Sequence, residues 1–135
     1  MTKQLKTIKI IHLAISLGVI LAYIILGDKT YFTNFETPKV NSDSFIFMTI
    51  PLAAYFIANF LYKSQIKKND KTLSLDRKFA IYHTATIMRL AVLEGGAFLI
   101  LILKPELILF GILIILYIIF IRPTEDQFKR DFNIR

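Results

Sequence analysis

Residues 79–103 read FAIYHTATIMRLAVLEGGAFLILIL, an unbroken run whose only formal charges are Arg89 and Glu94. A helix rises 1.5 Å per residue, so a bilayer core of about 30 Å takes roughly 20 apolar residues. The run is long enough to cross with some tilt. A charge at the bilayer centre costs about 3 kcal/mol on insertion scales, so such side chains face protein, water or one another. This stretch therefore predicts a membrane-embedded third helix and marks Arg89 and Glu94 as its candidate functional residues.

Working outward, three further apolar blocks appear, at about 8–26, 45–62 and 105–121. The last is short, but residues 107–121 are all apolar or aromatic, and Pro105 is tolerated in a first helical turn. No block alternates with strand period. The expected fold is all-α, a bundle of four transmembrane helices in one domain spanning 1–135, with a tail at 122–135. Only Lys104-Pro105-Glu106 separates the third and fourth helices, so these two must form a tight antiparallel hairpin. Composition agrees, because 55% of residues are hydrophobic. Soluble domains are usually lower, at roughly 45–50%.

The basic residues orient the bundle. One set of segments holds Lys3, Lys6 and Lys9, then Lys63, Lys67, Lys68, Lys71, Arg77 and Lys78, then Arg122, Lys129, Arg130 and Arg135. The opposite segments hold Lys29, Lys39 and Lys104. Thirteen against three places both termini in the cytoplasm under the positive-inside rule. The same distribution explains the net charge of +7. The charge lies in membrane-flanking segments in contact with the bilayer and its anionic headgroups, with no need of nucleic acid. Ile24-Ile25-Leu26-Gly27 offers no small-x-small cleavage site, so the first block reads as a retained helix and not a signal peptide.

With no cysteine in the chain, disulfides, thiolate catalysis and Cys-ligated metal centres are excluded. Nor does any nucleophile–base pair or acidic cluster appear, so an enzyme is not the expected reading, and no cofactor or metal is expected. His12 and His83 each sit one turn inside the basic edge, where a metal would need further ligands.

Small residues mark expected helix seams. Ala14, Gly18 and Ala22 repeat at four-residue spacing in the first helix, Ala54 and Ala58 in the second, and Ala91 and Gly95 in the third. Such ridges permit close backbone approach within one chain or between chains. Pro51 is expected to bend the second helix.

Arg89 and Glu94 are five positions apart, about 140° around a helix axis, and so do not form an i,i+4 pair. Each must find partners elsewhere: Ser16, Tyr23, Tyr55, Asn59 and the two histidines are candidates in this chain. His83 and Glu94 differ by about 20° and lie about 16 Å apart along one face. Burial disfavours a charged carboxyl, which suits a proton-carrying Glu94 and equally an inert one bonded to a neighbour. Thr124 and Gln127 form a T-x-x-Q capping box for a short tail helix with Phe128 and Phe132 on one side.

RLAVLEGGA at 89–97 and RPTE at 122–125 resemble a family of small, uncharacterised four-helix integral membrane proteins of Bacteroidota-type bacteria. That resemblance implies the four-helix fold and no activity. The string EGGA at 94–97 is similar to the mid-helix carboxylate of proton-carrying rotary ATPase subunits, but the first helix here lacks their dense Gly repeat. Small multidrug exporters also have four helices and one membrane Glu; theirs lies in the first helix, which here has no acidic residue. The sequence thus leads first to an accessory or interaction subunit that docks through Arg89 and Glu94, in a larger membrane complex or a homo-oligomer. A small proton- or ion-coupled transporter or channel component, with Glu94 titrating, is the alternative.

Overall fold

The computed structural model describes residues 2–27 and 42–134. The loop bearing Lys29 and Lys39, and Arg135, lie outside the described residues. Among the described residues the regular structure is entirely helical: α1 (Thr2–Leu26), α2 (Ser42–Ile66), α3 (Leu75–Leu103), a 3-10 turn (Pro105–Leu107), α4 (Ile108–Phe120) and α5 (Glu125–Asp131).

Three of these helices, α1, α2 and α3, are long and apolar enough to cross a membrane. Each extends past its apolar block by up to two turns. The flanking residues are mostly Lys, Arg, Gln, Asp, Ser and Thr, types that continue or cap a helix at a polar boundary. At the start of α3, Ser74 accepts a hydrogen bond from the Arg77 amide and Asp76 lies in the first turn. The first satisfies an orphan donor and the second complements the helix dipole. Helix α2 runs through Pro51 without a break. The 3-10 turn and α4 together extend only about 25 Å, short of a full bilayer core. After α4 the chain turns by 83° into α5.

Side-chain pairs set the topology. Gln4 donates to Asp76 at 2.7 Å and Tyr23 to the Ala97 carbonyl at 2.5 Å, so α1 and α3 run parallel. Arg89 meets Tyr62, while Gly96 meets Ala54, so α2 runs opposite to α3. His12 reaches the Ile118 carbonyl and Tyr23 abuts Gly111, so α4 runs opposite to α1. The result is an up-down-up-down bundle with α3 at its centre, packed against α1, α2 and α4.

Two apolar clusters hold it. The larger joins Val19, Ala58, Leu90, Leu93, Ala97, Ile100 and Ile118, all essentially inaccessible. The second lies at the basic end and is mostly aromatic: Phe79, Tyr82, Phe128 and Phe132, with Leu5, Ile8 and Tyr62. Phe79 stacks on Phe128 with centroids 4.1 Å apart. The tail helix is thereby seated under the bundle. Thr124 caps it by accepting from the Gln127 amide at 3.1 Å. At its other end the Asn133 and Ile134 amides return to the Arg130 and Lys129 carbonyls. Asn133 itself is in the left-handed region, a conformation common just past a helix end. The expected capping box is only half formed. The Gln127 side chain accepts from the Tyr82 hydroxyl at 2.9 Å and so serves the bundle.

The small-residue ridges divide between the bundle interior and its outer face. Ala54 and Ala58 are buried as foreseen, but Ala14, Gly18, Ala91 and Gly95 are exposed and Ala22 only partly covered. A Cβ added at Gly18 or Gly95 would meet nothing within 4 Å. The seam in α3 is one residue further on, at Gly96, where a Cβ would lie 2.9 Å from that of Ala54. Gly96 is seven residues after Arg89 and shares its face, so burying the guanidinium turns Gly96 inward and Ala91 and Gly95 outward.

Candidate functional site

Arg89 is 5% exposed, although it stands halfway along α3. Side chains of a helix lean toward its N-terminus, and a long Arg stem extends that lean by a further turn. The guanidinium consequently reaches the basic end inside the bundle, 3.9 Å above the Tyr62 ring centroid. A quadrupolar ring face is a strong partner for a desolvated cation. The Tyr62 hydroxyl in turn donates to Asp131 Oδ2 of the tail helix at 2.5 Å. Asp131 Oδ1 faces Arg130 Nε at 3.6 Å. The chain Arg89–Tyr62–Asp131 joins α3, α2 and α5. Among the described residues, Arg89 Nε and Thr86 Oγ1, one turn apart, are buried without hydrogen-bond partners.

None of the partners anticipated for Arg89 fills that role. Tyr62 lies beneath it and Tyr82 nearby instead, with Asp131 beyond, on the Tyr62 hydroxyl. One signal in the sequence points there: Tyr82 precedes Arg89 by seven residues and shares its face. The tail partner has no such signal, because only the fold brings residue 131 beneath residue 89.

Glu94 stands elsewhere. It is partly buried, at the margin of the outward face of α3, and among the described residues it has no hydrogen-bond or ion-pair partner. The flanking Ala91 and Gly95 are exposed. Residues 83, 87, 94 and 98 form one partly covered edge of α3, and residues 4, 11, 15 and 22 the facing edge of α1. The Gln4–Asp76 and Tyr23–Ala97 bonds place these edges along a common seam. Arg89 and Glu94 therefore serve different surfaces of one helix.

The remaining polar residues pin helices together. Buried His12 lies with Nε2 2.7 Å from the Ile118 carbonyl, and Ser16 donates to the His12 carbonyl at 2.8 Å. His83 instead lines a pocket between α1 and α3, so the two histidines serve different seams. Asn59 Nδ2 donates to the Tyr55 carbonyl at 2.9 Å and to the Tyr117 hydroxyl at 3.0 Å, with the Tyr55 and Tyr117 rings 5.2 Å apart. Among the described residues no three His, Asp or Glu side chains converge as metal ligands. No protein-family model, curated protein or solved structure matches the chain.

Proposed function

We propose that this is a four-span protein of the bacterial inner membrane, with both termini cytoplasmic, that acts as an accessory or interaction subunit. Glu94 is its intramembrane docking group. The observation that carries this reading is a carboxyl on the central helix with no partner among the described residues of its own bundle, beside exposed Ala91 and Gly95. A partner helix fits there if it brings an N–H or O–H donor and packs closely over the small residues. Arg89 has a different part in this scheme: it holds the bundle and tail together, so that Glu94 is presented on a fixed surface. The gathering of lysines at one end supports the orientation. The two strings at 89–97 and 122–125 support kinship with small four-helix proteins of Bacteroidota-type bacteria.

Purification of the tagged chain from native membranes in mild detergent tests the reading. A stoichiometric membrane partner retained by the wild type and lost in Glu94→Leu is the expected result. Identical, partner-free preparations from both would contradict it.

A second reading, proton or ion coupling through Glu94, is favoured by one observation: His83 and Glu94 share the α1/α3 seam. It requires Glu94→Gln to abolish flux in proteoliposomes while the bundle stays assembled; unchanged flux removes it.

A further inference from the structure

At the basic end, the seam between α1 and α3 opens into a pocket of about 250 Å³ lined by Gln4, Thr7, Ile8, Asp76, Phe79, Ala80 and His83. Its volume is below the range of sites for drug-sized ligands, so it suits a headgroup-sized moiety. Ile8 and Phe79 give it an apolar floor, and both belong to the aromatic cluster that closes this end of the bundle.

The polar rim has a definite donor and acceptor pattern. Asp76 Oδ1 accepts from Gln4 Nε2 at 2.7 Å, which leaves Oδ2 available. The Gln4 amide oxygen is a second acceptor. Thr7 donates its hydroxyl proton to the Lys3 carbonyl at 3.1 Å, so its oxygen offers lone pairs and no proton. Three acceptors with one negative charge match the three N–H bonds of a primary ammonium. Whichever tautomer His83 adopts, its ring provides an N–H, and the second Gln4 Nε2 hydrogen is another donor. Those donors suit a phosphate oxygen beside the ammonium.

We propose that this pocket binds the headgroup of a phospholipid carrying a primary amine, phosphatidylethanolamine, with its ammonium on Asp76 and its phosphate on His83. The acyl chains then extend into the bilayer along the exposed outer face of α1, where Gly18 leaves open space. The inference rests on the membrane reading above, because the basic end must lie at headgroup level for a lipid to enter.

The test uses the full chain reconstituted in liposomes, then extracted in mild detergent for native mass spectrometry of retained lipid. Phosphatidylethanolamine should be retained roughly tenfold over phosphatidylcholine, whose trimethylammonium has no N–H to donate. Asp76→Asn should erase that preference, and Ala80→Phe should exclude the lipid by filling the pocket. Unchanged helical melting of both variants by circular dichroism separates lost binding from lost fold. Equal retention of the two lipids by the wild type overturns the proposal. So does an undiminished preference in both variants. Soluble glycerophosphoethanolamine that binds as tightly as the lipid also overturns it, by assigning the pocket to a free headgroup. A chain that does not float with liposomes refutes the membrane reading itself, whereas floating without discrimination refutes only the lipid assignment.

Discussion

A guanidinium in a residue 5% exposed, stacked on a tyrosine ring, constrains the substitutions around it. Removing the ring deprives a buried cation of the aromatic face it stacks on, which costs more than the attraction itself. Tyr62→Leu is therefore expected to destabilise the bundle by about 2–4 kcal/mol, read from denaturant unfolding in detergent. Tyr62→Phe keeps the ring face and forfeits only the hydroxyl bond to Asp131, so it should cost about 1 kcal/mol. A larger loss in Phe than in Leu would refute the stacking account. Glycines give a second contrast at this scale. A Cβ at Gly111 would collide with the Tyr23 hydroxyl oxygen, which donates to the Ala97 carbonyl. Gly111→Ala should cost about 1–3 kcal/mol as the tyrosine is displaced. Gly18→Ala, with open space around it, should stay within about 0.5 kcal/mol.

Among the elements, α5 is the one whose role the fold decides. Its seven residues cannot form a stable helix alone. Caps at both ends and the burial of Phe128 and Phe132 against Phe79 and Tyr82 hold it. Phe128→Ala should cost about 3–5 kcal/mol and expose the tail to protease, with α1 to α4 surviving longer in a digestion time course. Tail and bundle cut at the same rate would contradict this docking. The helices themselves were legible because apolar runs of bilayer length have few alternative structures. The capping Thr124 and the shared face of Phe128 and Phe132 were legible for the same kind of reason, being local patterns. The inward face of α3 was not: Ala91–Gly95 and Gly96 look alike as small residues, and only the burial of Arg89 selects between them. Asp131 was invisible as a neighbour of Arg89, since no periodicity carries from the middle of α3 across α4 and a turn of 83°.

At the scale of the whole molecule, the antiparallel order of the bundle brings every described basic segment except Lys104 to one end. The contact of Tyr62 and Tyr82 with the tail helix ties residues 125–131 to the same end as the loop between α2 and α3. The chain after Lys104 therefore has to return, even though α4 is shorter than a full bilayer core. In the four-span arrangement proposed above, local thinning of the bilayer around α4 would accommodate the shortfall at a small cost per ångström. Because the chain has no cysteine, single cysteines can be introduced without background. Labelling with a membrane-impermeant maleimide at Lys68→Cys, Lys104→Cys and Arg130→Cys in intact cells tests the arrangement most directly. The account predicts that only the cysteine at position 104 reacts before the cells are opened, and that all three react afterwards. Reaction at position 130 in intact cells, with 68 protected, would place tail and loop on opposite sides and contradict it.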